Sequence, residues 1–306
     1  MNSNKGLPMT RTKYNKTVSD LGFTSAAPMP SRDELERFYA DTYYQQSTAK
    51  TYSATYSEDE LAQKRLRAQL TLHALKDAGR FDDLNGLRFL EIGCGEGFIM
   101  KAAADAGCQV TGIDYSEYAM QSFHPELVSN LVRGDGTAVL DEFAAKNSTF
   151  DICVLQNVIE HVIDPLALLR QTDSIMSDAG VLLINVPNDY SAMQMYLLEQ
   201  GRIDREHWFS PPDHLHYFNT DTIGNLADAA GYQVLEMFGD FPIELFLFHP
   251  GSNYVSDPRQ GADAHRARVE LDLLLAERGM DAYYDFCRAM SRCGIGRSVC
   301  AILSAR

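Results

Sequence analysis

Short apolar runs alternate with helical patterns through the middle of this 306-residue chain. Each run is about as long as a strand and ends at a glycine, a proline or a polar residue. The alternation predicts an α/β fold with a parallel, doubly wound sheet. We predict six of its strands at Leu87–Ile92, Gln109–Ile113, Leu127–Arg133, Phe150–Gln156, Val181–Val186 and Gln233–Phe238, and a final strand at Arg297–Ser304.

Capping signals predict the helices around this sheet. Ser31 and Ser57 each precede a glutamate by three residues, which is the capping-box pattern, and they open a short helix and a long one. Asp164 with Pro165 behind it starts the helix after the fourth strand. Three further helices are predicted at Thr220–Ala230, Ala262–Arg278 and Asp281–Arg292.

The chain therefore divides into four predicted parts. Residues 1–80 form a leader, loose to about Pro30, and a helical cap, and residues 81–240 form the sheet core. Residues 241–296 form a helical insertion, and residues 297–306 form the last core strand. Tyrosines crowd the cap and either pack on a neighbour or line a ligand entrance; they are Tyr39, Tyr43, Tyr44, Tyr52 and Tyr56.

Composition excludes several classes of partner. The formal net charge of -15 repels phosphate backbones and anionic lipids, so we expect neither a nucleic acid nor a membrane partner. The six cysteines contain no C-x-x-C pair and are typical of reduced thiols in a cytoplasmic protein. The start of the chain lacks an apolar signal segment, and the run Phe241–Phe248 is too short to cross a bilayer.

The segment Phe89–Gly97, FLEIGCGEG, carries the clearest chemistry. It predicts a strand, a tight glycine turn and a helix N-terminus, where backbone N–H groups can approach a ligand. Asp114 follows the next strand, and an acid at that strand tip binds ribose hydroxyls in open α/β sheets.

Two ligand classes compete for this glycine turn, and a turn without any ligand is a third reading. The dinucleotide fingerprint is G-x-G-x-x-G, whereas Gly93, Gly95 and Gly97 are spaced G-x-G-x-G. Glu96 would also place a carboxylate beside a phosphate. The sequence therefore favours a ligand that lacks phosphate, and a cationic ligand most of all.

The run from Glu91 to Gly97 resembles the first motif of class I S-adenosylmethionine (SAM)-dependent methyltransferases, E/D-x-G-x-G-x-G. The resemblance implies a Rossmann-like sheet of six parallel strands and one antiparallel strand, with SAM as cofactor and S-adenosylhomocysteine (SAH) as product. It also implies that the glycine turn lies under the methionine moiety, that Asp114 holds the ribose and that Asp135 accepts from the adenine amino group. Asp135 can instead be an ordinary turn aspartate. The implied cofactor-binding residues are Glu91, Gly93, Cys94, Gly95, Gly97, Asp114, Tyr115, Asp135, Gly136, Gln156 and Asn157.

The run Gln156–Pro165 resembles the L-E-H-V-x-D-P segment of ubiquinone-biosynthesis O-methyltransferases and of many sugar and small-molecule methyltransferases. The resemblance implies that Gln156 and Asn157 lie along the methionine end of the cofactor. It makes His161 the candidate general base, because a histidine can accept a hydroxyl proton near neutral pH. The alternative is a histidine that only ties the loop to the next helix.

Two long segments are predicted above the ligand-binding edge of the sheet. The first, residues 188–218, begins at Asn188, and one of its histidines His214 and His216 should pack while the other faces the substrate. A metal is not expected, because the spacing matches no recognised zinc pattern. Trp208 either stacks on a substrate ring or packs in the core. The predicted substrate-binding residues of this segment are Asn188, His207, Trp208, His214 and His216.

The second segment is the insertion, which groups several arginines. Arg259 is the predicted anion-binding residue, and the diphosphate of a nucleotide sugar is one candidate ligand. An ordinary charged helix face is the alternative reading. The insertion helices would also offer a surface for a homodimer.

Together these features predict methyl transfer to a hydroxyl of a small or medium substrate, with a sugar or surface-glycan precursor as first choice. A phenol, quinone or polyketide hydroxyl and the amine of an amino sugar stay open as acceptors. A nicotinamide-dependent oxidoreductase is disfavoured by the glycine spacing and by the lack of a Tyr-x-x-x-Lys pair. A SAM-binding protein without catalysis is the third class.

Overall fold

The computed structural model describes residues 13–42, 56–78 and 81–306. In these ranges the chain forms a seven-stranded sheet and a smaller three-stranded sheet. The strands are β1 (Asn15–Val18), β2 (Thr24–Ala27), β3 (Arg88–Ile92), β4 (Gln109–Asp114), β5 (Leu131–Arg133), β6 (Phe150–Gln156), β7 (Met176–Pro187), β8 (His216–Tyr217), β9 (Tyr232–Phe238) and β10 (Ser298–Ala305). The α-helices are α1 (Arg32–Thr42), α2 (Glu58–Asp77), α3 (Phe98–Asp105), α4 (Tyr118–Phe123), α5 (Gly136–Ala145), α6 (Pro165–Asp173), α7 (Ala192–Glu199), α8 (Thr220–Ala230), α9 (Gly261–Ala276) and α10 (Met280–Arg292).

The large sheet has the predicted mixture of directions. Its strand order is β5-β4-β3-β6-β7-β10-β9. Strands β3 to β7 pair in parallel, and β10 runs antiparallel to both β7 and β9. Six parallel strands and one antiparallel strand are therefore confirmed. The carboxyl ends of β3, β4, β5, β6 and β7 meet at one edge, where open α/β sheets bind ligands.

Two hydrophobic clusters cover the two faces of this sheet. Along β6, Ile152 and Val154 point into a cluster that includes residues of α2, α3 and α10. Cys153 and Leu155 point into the other cluster, which includes residues of α5, α6 and α8. Because both faces are buried, the central strands are continuously apolar rather than alternating.

Two strands of the large sheet differ from their predicted bounds. The strand predicted at Leu127–Arg133 is only three residues long, because a 3-10 helix occupies Pro125–Asn130 with its proline at the first turn and Leu127 packed inside. Strand β7 starts at Met176, earlier than predicted, and its register with β6 shifts at Phe150.

The predicted loose leader also contains ordered strands. Strands β1 and β2 form a hairpin, and β2 pairs with β8 from the segment after β7. This pairing joins residues nearly two hundred positions apart, which local sequence patterns cannot reveal. Of the cap tyrosines, Tyr43, Tyr44 and Tyr52 lie outside the described residues.

The cap and the insertion meet over the sheet edge. Ser57 and Glu60 form the predicted capping box of α2. Helix α2 contacts α9 of the insertion, where Gln63 donates to Asp272 over 2.5 Å. Among the described residues, we find no helix with the length and apolar character needed to cross a membrane.

Candidate active site

The glycine turn after β3 adopts a backbone that only glycine accepts easily. Gly93, Gly95 and Gly97 have φ angles of +71°, +50° and +78°. A Cβ at Gly93 would lie 2.7 Å from Cγ2 of Val158. The turn thus needs glycine for both its conformation and its close packing.

Two carboxylates, the buried Glu91 and the half-buried Asp114, hold this turn in place. Glu91 accepts a hydrogen bond of 3.0 Å from the Met100 amide in the first turn of α3, and burial raises the pKa of Glu91 to about 8. Asp114 accepts from the amides of Gly95 at 2.9 Å and Ser116 at 3.1 Å, while burial raises its pKa. Each carboxylate therefore positions backbone that the sequence predicted to touch the cofactor.

A second acidic group follows β5. Asp135 caps α5 by accepting from the Ala138 amide at 3.0 Å, and the Tyr115 hydroxyl donates to it over 2.5 Å. Partial burial opposes ionisation of Asp135, but hydrogen bonds from Thr137 and Tyr115 outweigh burial and lower its pKa. The residue is thus a helix cap and a cavity-lining group at once.

One cavity of about 1110 Å³ connects these groups. Small-molecule sites measure roughly 300–1,000 Å³, so this cavity has room for a cofactor and a second molecule. All predicted cofactor-binding residues except Gly136 line it, and so does His161. Gly136 is instead the first residue of α5, facing Ile92.

Glu96 has a different environment from the one expected. From the sequence alone, Glu96 is expected to place an uncompensated carboxylate beside a phosphate. Its carboxylate instead contacts the Lys64 ammonium at 2.7 Å and accepts from the Tyr56 hydroxyl at 2.5 Å. Because helix α2 supplies this counter-charge, Glu96 alone does not exclude a phosphate-bearing ligand.

His161 lies beside a buried carboxylate that the sequence analysis gave no role. Nδ1 of His161 lies 2.6 Å from the carbonyl oxygen of Asp213, so a neutral ring carries its lone pair on Nε2. That Nε2 is 3.8 Å from Oε1 of Glu160. Glu160 is 1% exposed, neither of its oxygens has a hydrogen-bond partner among the described residues, and burial raises its pKa to about 7.

His214 completes this cluster. Its ring packs edge-on against His161 with 4.8 Å between centroids, and burial lowers its pKa. One ligand atom from each of Glu160, His161 and His214 lies within 4.8 Å of the others, which is a donor set that could hold a divalent ion. The cluster can therefore bind either a proton or a cation, and its member His161 lines the same cavity as the glycine turn.

No residue of the segment 188–218, His214 included, lines the cavity. His216 is buried between Ser25, at 2.8 Å from its Nδ1, and Ile163, so it is the packing member of the histidine pair. Trp208 is 4% exposed in a separate apolar cluster, and His207 packs against it. The Asn188 amide donates to backbone carbonyl oxygens of Gly294 and Gly296.

None of Asn188, His207, Trp208, His214 and His216 lines the cavity, and their substrate roles remain predictions. The segment folds back onto the β1–β2 hairpin and the insertion. The side chains of Asn188, His207, Trp208 and His216 stabilise this arrangement.

Arg259, the predicted anion-binding residue, also lies outside the cavity. Its side chain is 89% exposed and pairs with Asp257 two residues earlier. Arg268 and His265 of α9 line the cavity instead, together with Arg67 of α2. Arg259 lies in a short 3-10 helix, Pro258–Gln260, that precedes α9, so it has different surroundings from the arginines of α9.

Comparison with known proteins agrees with this architecture. A family model described as a methyltransferase domain matches residues 54–237, which is more than half of the chain. A ubiquinone biosynthesis O-methyltransferase of Parvibaculum lavamentivorans is 32% identical over 127 residues, 40% of this chain and 49% of that protein. The enzyme of the same name from Idiomarina loihiensis is 25% identical over 181 residues, 57% of this chain and 70% of that protein.

The chain spans about half the length of the first curated relatives that it matches. Among solved structures, a SAM-dependent methyltransferase from Archaeoglobus fulgidus aligns with a TM-score of 0.47 and 18% identity, covering 88% of this chain and 98% of that one.

The chain belongs to this methyltransferase family, and its fold and site define a class I SAM-dependent methyltransferase. SAM is its cofactor, and the residues present fit that group, because the glycine turn, Asp114 and Asp135 line one cavity. The two curated relatives named above are both O-methyltransferases.

Proposed function

We propose that this chain transfers the methyl group of SAM to a hydroxyl of a small molecule, with His161 accepting the hydroxyl proton. The observation that carries the proposal is that His161 and the glycine turn line one cavity. When bound, SAM supplies an electrophilic methyl group on a sulfonium. The side chains around it would bind the acceptor, align it with the methyl group and remove its proton.

The residues that would hold SAM follow the strand tips. The turn Gly93–Gly97 would lie under the methionine moiety, Asp114 would accept from the ribose hydroxyls, and Asp135 with Tyr115 would border the adenine. Asp114 already accepts two backbone hydrogen bonds, but a carboxylate has about four lone-pair sites and can accept further donors.

Oxygen is the favoured acceptor atom for two reasons. The curated relatives are O-methyltransferases, and a hydroxyl is the acceptor that needs a base. Nε2 of His161 carries the lone pair of the neutral ring, since Nδ1 faces the Asp213 carbonyl oxygen. Glu160 at 3.8 Å would stabilise the imidazolium that forms.

The identity of the acceptor stays a prediction. A sugar or nucleotide sugar was the first choice from the sequence, and a phenol or quinone hydroxyl is the choice that the curated relatives favour. Cytoplasmic location and a homodimer through the insertion also remain proposals.

The test compares His161→Asn with the wild type on a panel of catechols, hydroxybenzoates and nucleotide sugars, with SAH release as readout. We expect turnover to fall roughly a hundredfold or more, while the dissociation constant for SAH stays unchanged. His73→Asn is the control, because His73 lies on α2, pairs with Asp281 and does not line the cavity.

Three outcomes would change the proposal. A fully active His161→Asn variant would remove this residue from the mechanism. Activity that disappears with EDTA and returns with a divalent ion would replace proton acceptance by ion-assisted ionisation at Glu160, His161 and His214. SAH binding without turnover of any acceptor would favour a non-catalytic SAM-binding protein.

A further inference from the structure

Besides Lys64 near the glycine turn, the cavity is lined by a group of basic side chains to which the insertion contributes. Arg268 and His265 of α9 face Arg67 of α2 across it. Asp240 follows β9, and it bonds the Ser298 amide at the start of β10. Because β10 is three strand positions from β3, Ser298 at the start of β10 lies on the order of 14 Å from the glycine turn at the usual strand spacing.

Arg67 already has two carboxylate partners. It contacts Asp240 at 2.8 Å and Asp272 at 3.1 Å. Asp272 is fully buried and also accepts from Gln63 at 2.5 Å and from the Tyr283 hydroxyl at 3.0 Å. Both carboxylates are therefore engaged by groups other than Arg268.

Arg268 lacks such a partner. Among residues 13–42, 56–78 and 81–306, no carboxylate oxygen lies within 4.0 Å of its guanidinium nitrogens, and its buried Nε has no hydrogen-bond partner. Burial, Arg67 and Arg297 lower the pKa of Arg268, whereas Asp240 and Asp272 act in the opposite direction without contacting it, and an arginine stays charged at neutral pH. Its buried Nε–H is costly to leave unpaired unless an acceptor reaches it from the cavity.

His265 holds this guanidinium in place. Nη2 of Arg268 is 3.0 Å from Nδ1 of His265, and Nε2 of His265 is 3.0 Å from Oε1 of Glu60. Because a guanidinium can only donate, Nδ1 accepts and the Nε2–H donates to Glu60. Glu60 is itself held by the capping box of α2.

We propose that Arg268 binds a carboxylate or phosphate group of the methyl acceptor, so that the acceptor is an anionic hydroxylated small molecule. The inference rests on the proposed function and names the substrate class of the same cavity. The cofactor carries a carboxylate too, but Lys64 is the cation that reaches the glycine turn, through Glu96 at 2.7 Å. The planar fork of Arg268 suits a two-oxygen anion better than an ammonium would.

The test titrates the SAH-saturated protein by calorimetry at low chloride with inorganic phosphate, benzoate and 4-hydroxybenzoate, and with neutral 4-hydroxybenzamide. At least one anion should bind, and the neutral amide should bind less tightly than 4-hydroxybenzoate. Arg268→Met should weaken the anion at least tenfold, and Arg268→Lys should weaken it less. Arg266→Met is the matched control on the same helix, because Arg266 is exposed and pairs with Asp263.

Each contrary result overturns the proposal. These results are no binding of any anion, equal binding to Arg268→Met, or equal affinity for the amide. A tenfold loss of SAH affinity in Arg268→Met would assign the arginine to the cofactor carboxylate. If the wild type does not bind SAH at all, the proposed function fails instead, so the two failures are distinguishable. Melting temperatures of both Arg268 variants show that they fold.

Discussion

Replacing Gly93 by alanine tests the cofactor turn through two separable effects. An alanine at φ +71° adopts the left-handed conformation at a cost of roughly 1–2 kcal/mol. Its Cβ would also approach Cγ2 of Val158 to 2.7 Å, and overpacking of this kind costs about 1–3 kcal/mol. We therefore expect Gly93→Ala to lower the free energy of unfolding by about 2–5 kcal/mol.

Gly86→Ala is the control for the conformational part. Gly86 has φ +80°, and no atom lies within 4 Å of where its Cβ would be. Urea unfolding of Gly86→Ala should therefore show a loss of only about 1–2 kcal/mol. Its affinity for SAH should equal that of the wild type, since it lies before β3 and outside the cavity.

A double-mutant cycle with Val158→Ala isolates the contact. Removing Cγ2 relieves the overpacking but leaves the strained φ, so the cycle should give a coupling of about 1–3 kcal/mol. Calorimetry should show SAH binding to Gly93→Ala weakened at least tenfold, about 1.4 kcal/mol, and partly restored in the double variant. Wild-type SAH affinity and stability in Gly93→Ala would refute this reasoning about the turn.

Two further predictions concern charges beside the turn. The pKa of Glu91 is about 8 in the folded protein against an ordinary 4.5, so the folded state keeps a proton that the unfolded state loses. The free energy of unfolding of the wild type, compared with that of Glu91→Gln, should thus fall as the pH rises from 4.5 to 8. Urea unfolding at several pH values in this range measures the difference. A difference that does not change with pH would contradict the prediction. Lys64→Met removes the cationic partner of the buried Glu96 and should lower the free energy of unfolding by about 3 kcal/mol. Lys101→Met breaks an exposed pair with Asp105 and should lower it by under about 0.5 kcal/mol. Equal losses in the two lysine variants would show that Glu96 does not need its partner.

The sheet and the cofactor turn could be predicted because their signals are local. The turn Gly93–Gly97, the acid Asp114 at the tip of β4 and the Asp164 cap of α6 each lie within a few residues of the element they define. Periodicity and turn chemistry predict where the strands are, but not their order in the sheet. The order can be predicted only from the resemblance to a known family.

The substrate side could not be predicted, because it depends on contacts between distant segments. Ser25 holds His216 from the N-terminal hairpin, and that pairing leaves no periodic trace in either segment. Lys64 neutralises Glu96 from a helix that precedes the sheet. Glu160 is next to His161 in the sequence, yet only the structure shows that its carboxylate is buried without a hydrogen-bond partner among the described residues.

The surroundings of the arginines in the insertion also depend on tertiary packing. Sequence grouped Arg259 with its neighbours as one basic patch, whereas Arg259 pairs with Asp257 in solvent and Arg268 lines the cavity. Which side of a helix faces a cavity depends on how α9 packs on α2, and this is a tertiary property.

The central claim is that the cavity above Gly93–Gly97 is built for SAM. Calorimetric titration of the wild-type chain with SAH and, separately, with NAD tests it most directly. The account predicts saturable binding of one SAH per chain and no heat from NAD. Saturable NAD binding with no response to SAH would contradict it.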